Sequence, residues 1–302
     1  PVLADQPASM LHDLTAAWCR ERRSAMRSIV VRLLFRRSTI IPVSHRYQFL
    51  LVGFMASMNN ESIVLILGSA PDAMRAATWP KPGSGKVVSI NNAWRVRDDW
   101  DYCIYPDDFP VEKRPDRIDR AQKLINSSVY VPANNRFGGV VYAGATMAFT
   151  AGYWALSALK PRVLAYLGCD MIYKGRNTHF YGQGKPDPLR EDVTLASLEA
   201  KSARLMTIAA ERHCACINLS EELESRLLFP RISHRALVAD LPVPSYDTEL
   251  ADKALSLENE AGYLIEDGQY WEHGASFDPD ILSEIDRHWL SAVGAQSNSR
   301  LA

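Results

Sequence analysis

His179 lies in a long polar stretch of the chain together with Tyr173 and Tyr181. A histidine with the ordinary pKa of about 6.5 can take a proton from a hydroxyl nucleophile at neutral pH. The tyrosine hydroxyls could donate hydrogen bonds to a leaving phosphate, and the cations of Lys174 and Arg176 could neutralise its charge. These residue types predict a group-transfer site with His179 as base and Tyr173 and Tyr181 at the leaving group.

The structural alternative for His179 is a loop histidine that bonds to Thr178 or to a backbone carbonyl. Residues 171–190 follow a predicted strand and contain glycine, aromatic and charged residues without apolar periodicity. A long loop of this composition at the end of a strand usually carries function. We therefore favour the functional interpretation.

Gly68, Ser69 and Pro71 belong to a predicted tight turn after the apolar run of residues 63–67. A short apolar run that ends in glycine is typical of a parallel strand covered on both faces. Pro71 suits the first turn of a helix, whose free N–H groups can bind an anion. The turn therefore predicts a nucleotide phosphate site, although any open α/β sheet has such a turn, occupied or not. Its single glycine favours a mononucleotide over a dinucleotide.

Polar pairs follow the next two predicted strands. Asn91 and Asn92 come directly after residues 87–90, and Asp107 and Asp108 follow residues 101–105. Asparagine can donate to and accept from a base, a ribose or a sugar, whereas a carboxylate pair could hold Mg²⁺ or sugar hydroxyls. Turn-forming asparagines and a solvated acidic turn are the structural alternatives.

Gly144 and Asp170 complete the predicted nucleotide-binding set. Gly144 opens a predicted helix that extends to residue 159 and carries no charge, so the helix is expected to be buried. Its start would offer a second set of free N–H groups near the same crevice. Asp170 follows the predicted strand of residues 162–167 and is expected at the carboxyl edge of the sheet.

Strands and helices alternate between residues 61 and 228, which predicts an α/β fold with one doubly wound, mostly parallel Rossmann-like sheet. Further predictions are a charged helix over 112–124, a strand over 128–131 and a loop over 132–139. A helix over 191–213, a strand over 214–219 and a short helix up to residue 228 follow. Helical extensions are expected at both ends, with domain bounds of 1–57, 58–240 and 241–302.

Composition argues against several classes of partner. The chain has 302 residues and a formal net charge of −1, so nothing in its charge calls for nucleic acid or an anionic membrane. The five cysteines are an odd number and fit a reducing cytoplasm better than a disulfide framework. No transmembrane segment is predicted, since the longest apolar run near the start is too short to cross a bilayer.

The two ends of the chain differ in charge. Residues 1–57 are rich in arginine, and residues 246–302 carry twelve acids against three cations. The basic extension could be a targeting segment, a basic surface helix, or a segment outside the native fold, with a natural start at Met58. Peripheral association with a membrane is compatible with the sequence. The acidic tail contains helices with aromatic residues that need a surface to cover, and Asp278-Pro279 predicts the start of one of them.

The order of these motifs resembles the bacterial sialyltransferases of glycosyltransferase family 42. The matching residues are Gly68 and Pro71 in the first turn, Asn91 or Asn92 after the next strand, Gly144 at the helix start, and Gly168 with Asp170. In that family the turn and the asparagine bind the CMP of a CMP-sugar, a histidine is the base and tyrosines assist the leaving phosphate without metal. The resemblance covers about residues 62–220.

The chain also departs from that family. Ser69, Ala70 and Asp72 stand where the family has Asn, Gly and Ser, and Ala143 stands where a nucleotide-binding Ser is expected. The short spacing from Asp170 to the histidine resembles a related family, which contains 6-hydroxymethylpterin pyrophosphokinases and motility accessory factors.

Together these patterns predict a cytoplasmic glycosyltransferase. The resemblance implies that it uses a nucleotide-activated sugar, with CMP as one candidate nucleotide, and transfers it to a surface glycan without a metal cofactor. The first alternative is a pyrophosphokinase-like enzyme in which Mg²⁺ binds Asp107 and Asp108, with Asp170 as a further candidate ligand. The second is a nucleotide- or sugar-binding protein without catalysis.

Overall fold

A six-stranded, all-parallel sheet forms the centre of the computed structural model, which describes residues 63–82, 85–174, 177–184 and 190–294. The strand order is β4-β3-β2-β1-β5-β6. The strands are β1 (Ile63–Leu67), β2 (Lys86–Ile90), β3 (Tyr102–Ile104), β4 (Lys123–Ile125), β5 (Val163–Leu167) and β6 (Ala215–Asn218). The predicted α/β Rossmann-like sheet is confirmed.

Helices cover both faces of this sheet. The α-helices are α1 (Ser127–Asn135), α2 (Val140–Ala143), α3 (Met147–Ala158), α4 (Leu198–Ala210), α5 (Thr248–Ala261) and α6 (Pro279–Ala292). Six segments of the described chain are 3₁₀ helices: Pro71–Thr78, Asn91–Val96, Val111–Lys113, Val193–Leu195, His234–Ala236 and Tyr270–Ser276.

The apolar core lies in two layers, one on each face of the sheet. On β1, Val64 and Ile66 point into one layer, and Leu65 and Leu67 point into the other. Every residue of β1 is buried because neighbouring strands and helices cover it on all sides. This double burial explains why the strand reads as an unbroken apolar run.

Several predicted elements between residues 112 and 139 are wrong. The predicted helix over 112–124 is a short 3₁₀ helix, Val111–Lys113, followed by irregular chain and strand β4. Pro115 and the lack of an apolar stripe in this segment disfavour a continuous helix. The predicted strand over 128–131 and the first part of the predicted loop over 132–139 form helix α1 instead.

Three further element bounds differ from the predictions. Helix α3 begins at Met147, because Gly144 has a φ of 86° and separates it from α2. Helix α4 spans only Leu198–Ala210, with Ser197 as its N-cap. The predicted helix before residue 228 is absent from the described chain, where residues 219–233 form bends and extended segments.

The C-terminal helices pack against α4 of the sheet domain. The predicted helix start is confirmed, since Asp278 caps α6 and Pro279 begins it. The guanidinium of Arg204 on α4 is paired with Glu258 on α5 at 2.7 Å, and Lys201 is paired with Asp286 on α6 at 2.8 Å. All four side chains are buried. Trp289 of α6 is completely buried as well, so apolar packing accompanies these ion pairs.

The predictions for residues 1–57 fall outside the described residues. Within the part of the chain that the structure describes, none of the helices combines the length and apolar character needed to cross a bilayer.

Candidate functional site

The first turn and the segment after β5 meet at the carboxyl edge of the sheet. The strand order reverses between β1 and β5, which is where open α/β sheets bind ligands. The N–H of Gly68 donates to Leu167 O at 2.8 Å, and the N–H of Ala70 donates to Gly168 O at 3.0 Å. Two donors of the predicted phosphate turn are therefore already bonded to protein carbonyls.

Close packing accounts for the glycine at position 68. A Cβ at this position would lie 2.1 Å from Gly168 O and 2.5 Å from Cys169 Sγ. The two turns can approach this closely only without a side chain at Gly68. Pro71 begins the 3₁₀ helix Pro71–Thr78 as predicted for a helix start.

The His179 segment is hydrogen-bonded to the same turn. The N–H of His179 donates to Gly182 O and the N–H of Gly182 donates to His179 O, each at 3.0 Å, which closes a hairpin of four residues. Within this hairpin, the N–H of Phe180 donates to Ser69 O at 3.0 Å. The structure thus brings together two segments that the sequence separates by about 110 residues.

Two aromatic rings flank the imidazole of His179. The ring centroid of Tyr181 lies 5.0 Å from that of the imidazole, with an angle of 29° between the ring planes. The centroid of Tyr173 lies 6.0 Å away, with an angle of 28°. A Cβ on Gly184 would approach the ring to 2.7 Å, so this glycine lies directly against the imidazole. Both predicted tyrosines therefore lie beside the predicted base.

The hydrogen bonding of His179 distinguishes its two ring nitrogens. Thr178 Oγ1 lies 2.9 Å from Nδ1. Among the described residues, Nε2 has no hydrogen-bond partner and is the nitrogen left for proton transfer. Partial burial lowers the pKa of His179 below its ordinary value, which keeps the ring neutral at pH 7. The contact with Thr178 expected of a structural histidine is present, and it also orients the ring.

Unpartnered oxygens mark the same edge of the sheet. Among the described residues, five buried side-chain oxygens have no hydrogen-bond partner: Ser89 Oγ, Asn91 Oδ1, Asn92 Oδ1, Asp170 Oδ2 and Thr207 Oγ1. Three of the five lie beyond the carboxyl ends of two strands: Asn91 and Asn92 directly follow β2, and Asp170 lies three residues after β5. Buried polar atoms normally have partners, so these three are candidates for contact with a ligand.

Asn218 is a site residue that the sequence reasoning missed. It ends β6, and its Nδ2 donates to Asp170 Oδ1 at 3.0 Å and to Ser225 Oγ at 3.1 Å. Its own Oδ1 accepts from the N–H of Ser220 at 2.9 Å. These bonds fix the Asp170 carboxylate, which is only 3% exposed. The available signal was an asparagine at a strand end, the same signal that singled out Asn91.

Other predicted site residues have different surroundings. Lys174 is exposed and pairs with Glu224 at 2.6 Å, whereas Arg176 lies outside the described residues. Gly144 packs against Lys201, whose Cγ would lie 2.8 Å from an added Cβ. The start of α3 is capped by Thr146, which accepts from the N–H of Phe149.

Asp107 and Asp108 line a separate open cleft of about 850 Å³ at the carboxyl end of β3. Asp107 accepts hydrogen bonds from both the N–H and the hydroxyl of Ser127 at the start of α1. No three His, Cys, Asp or Glu side chains of the described residues come together as a metal-binding group. The two aspartates and Asp170 therefore do not form one preassembled Mg²⁺ site.

Comparisons with protein-family models, with curated proteins and with solved structures gave no match. The resemblance to family 42 sialyltransferases therefore stays a prediction from the motifs.

Proposed function

We propose that this protein is a transferase that uses a nucleotide-activated donor, in the first instance a nucleotide sugar. The observation that supports this most directly is the hydrogen bond from the Phe180 N–H to Ser69 O. It holds the candidate base next to the turn at the switch point of the sheet, where α/β proteins of this topology bind nucleotides.

In the proposed reaction, His179 Nε2 takes the proton of an acceptor hydroxyl. The acceptor oxygen then forms a bond to the anomeric carbon of the donor sugar, and the bond from that carbon to the phosphate oxygen breaks. The phosphate leaves with the electron pair of this bond. Tyr173 and Tyr181 flank the imidazole and would donate hydrogen bonds to the leaving phosphate as its charge develops.

The donor nucleotide would occupy the edge between β2 and β5. The unpartnered oxygens of Asn91, Asn92 and Asp170 can accept hydrogen bonds from ribose hydroxyls or from an amino group of the base. Gly68, Ser69 and Pro71 would shape the adjacent turn. Gly144 would act indirectly, since it allows the chain to pass Lys201 before the start of α3.

Replacing His179 by Ala tests the assignment of the base. We expect turnover of the cognate nucleotide sugar to fall by about 10²–10⁴-fold, which is the usual contribution of a general base. Nucleotide binding, measured by thermal shift with CMP, CMP-sugars, UDP-sugars and ATP, should persist.

The matched control is His213→Asn, because His213 is exposed and has a φ of 55°, which asparagine tolerates. This variant should keep the wild-type rate. A His179→Ala enzyme with an undiminished rate would end the assignment.

Phosphoryl transfer is the second candidate, and the exposed Asp108 in the cleft is what favours it. Mg²⁺ is commonly held by one or two carboxylates together with substrate phosphates, so Asp108 and Asp107 could serve in that way. Activity that survives EDTA would support sugar transfer and contradict phosphoryl transfer. Nucleotide binding without turnover of any donor would instead support a binding protein.

We also propose a cytoplasmic location. Cys103, Cys169, Cys214 and Cys216 are free and buried, as is typical of proteins from reducing compartments. The acceptor would then be a glycan or glycan precursor accessible from the cytoplasm, with peripheral membrane association as one way to reach it.

A further inference from the structure

The cleft beside β3 has two walls from distant parts of the sequence. One wall consists of residues 106–108 after β3 and the first turns of α1, and the other consists of residues 267–271 before α6. The start of α3, with Thr146 and Met147, lies between them. The volume of the cleft, about 850 Å³, is within the range of small-molecule sites.

The wall formed by residues 267–271 is held in place from several directions. Asn135 Nδ2 donates to Glu266 O at 2.7 Å, and a Cβ on Gly268 would lie 2.9 Å from Val131 of α1. The hydroxyl of Tyr270 donates to Asp192 Oδ2 at 2.6 Å. This wall is therefore ordered before any ligand arrives.

Trp271 is presented to solvent by this ordered wall. Its side chain is 65% exposed and lies edge-on to Tyr270, with ring centroids 5.6 Å apart. Tryptophan is enriched among the residues that contribute most to binding energy, so an exposed tryptophan on an ordered wall is a candidate binding residue. A flat, exposed indole can pack against the apolar face of a sugar ring.

Charge restricts the chemistry of the ligand. Five carboxylates line the cleft against one guanidinium, that of Arg190, which is already bonded to Asp192 and Tyr270. This formal excess of four negative charges outweighs the partial positive charge of about 0.5 at the start of α3. Without a bound cation, the cleft therefore disfavours phosphates and other anions.

The lining of the cleft suits an uncharged ligand that carries hydrogen-bonding hydroxyl groups. Burial and the neighbouring Asp107 and Asp108 raise the pKa of Tyr130 to about 12, so its hydroxyl stays protonated. The exposed carboxylates of Asp108 and Asp267 can accept hydrogen bonds from hydroxyl groups, and the amide of Gln269 can accept or donate.

We propose that this cleft is a binding site for an uncharged saccharide, with Trp271 as its aromatic platform. Its role as the acceptor site rests on the proposed transferase. Neighbouring strands lie about 4.8 Å apart, so the end of β3 is roughly 10 Å from the turn after β1. A saccharide in the cleft could therefore extend a hydroxyl toward His179 while the anionic donor stays at the other end of the edge.

The test is an immobilised array of uncharged oligosaccharides and their sialylated and phosphorylated counterparts, probed with the labelled full-length protein. We expect retention on an uncharged class at least tenfold above its anionic counterparts. Trp271→Ala should lose this retention, and Trp271→Phe should keep part of it. The control Trp79→Phe should bind as wild type, because Trp79 stacks on His234 outside the cleft. Unchanged thermal midpoints would show that the exposed Trp271 variants fold.

Asp108→Lys provides an independent check of the charge argument, since it should reduce the discrimination against anionic glycans. Absence of retention on every uncharged class, preference for anionic glycans, or full retention by Trp271→Ala would overturn the proposal. Thermal shifts with the nucleotides separate the two proposals, because Trp271→Ala should leave them unchanged. Glycan binding without any nucleotide shift would reject the transferase and keep the saccharide site.

Discussion

Beneath the C-terminal helices, the Arg204 guanidinium donates to both carboxylate oxygens of Glu258, to the Tyr153 hydroxyl and to Phe137 O. The indole N–H of Trp289 donates to the same carboxylate at 2.8 Å. At the carboxyl edge of the sheet, by contrast, Asp170 is equally buried but has a partner for only one of its two oxygens.

This difference separates two uses of buried polar groups. A charge that serves only to join helices needs partners within the protein, because an unpaired buried charge costs several kcal/mol. An oxygen that serves a ligand is left unpartnered by the protein, and its desolvation lowers stability until the ligand binds. We call the contact between Arg204 and Glu258 the docking contact and expect it to contribute to the stability of the fold. The sheet edge around Asp170 is expected to contribute to ligand binding instead.

The largest effect should come from breaking the docking contact. Arg204→Met leaves the Glu258 carboxylate buried without its main partner and should cost about 3–5 kcal/mol in the free energy of unfolding, measured in urea. The double variant Arg204→Met/Glu258→Leu should recover much of that loss.

The control for this prediction is Arg226→Met, whose ion pair with Glu199 is about 40% exposed on each side and should contribute at most about 1 kcal/mol. Equal losses for Arg204→Met and Arg226→Met would show that burial does not distinguish the docking contact.

At the sheet edge, Asp170→Asn should weaken nucleotide binding without lowering stability, which is the reverse of what we expect for Arg204→Met. The new amide oxygen can still accept from Asn218, but an amide donor replaces the unpartnered oxygen that we assign to the nucleotide. We expect the free energy of unfolding to stay level or rise, while nucleotide binding weakens by about 1.5–3 kcal/mol, roughly ten- to hundredfold.

Thr207→Val is the matched control, since Thr207 Oγ1 is also buried and unpartnered but lies within α4. Its nucleotide affinity should equal that of the wild type. Loss of stability in Asp170→Asn with unchanged affinity would assign Asp170 to the scaffold and remove the contrast between the two regions.

A smaller effect is expected from the titration of His179. Burial lowers its pKa in the folded state, so the folded protein binds this proton more weakly than the unfolded chain does. The free energy of unfolding is therefore higher above the unfolded pKa of about 6.5, where neither state binds this proton. That extra stability is lost as the pH falls through the folded pKa. NMR titration of the imidazole in the native protein and in urea measures both midpoints. A titration midpoint in the native protein at or above the midpoint in urea would contradict a His179 pKa that is lowered by burial.

Sequence reasoning succeeded where local pattern determines the structure. The apolar run of β1 was identified with its bounds, Ile63–Leu67, because double burial leaves no polar residue in the strand. The start of α6 was identified because Asp278 and Pro279 specify it locally. Asn91, Asn92 and Asp170 also lie at the carboxyl edge of the sheet as expected, because each follows the end of a strand by at most three residues.

Sequence reasoning failed where contacts with residues distant in the sequence determine the local structure. The β-branched residues at the start of α1 favour a strand, yet Asp107 bonds the first N–H and the hydroxyl of Ser127 and supports a helix there. The wall of the cleft at residues 267–271 depends on Tyr270 reaching Asp192, a contact across 78 positions. No local pattern contains either contact.

The position of Trp271 late in the chain also has a consequence for protein synthesis. A ribosome makes all six strands of the sheet and the His179 hairpin before it makes the second wall of the cleft. The nascent chain can therefore begin to order the sheet edge at which we propose nucleotide binding while the proposed saccharide cleft still lacks one side. The cleft is therefore complete only after synthesis has passed residue 271.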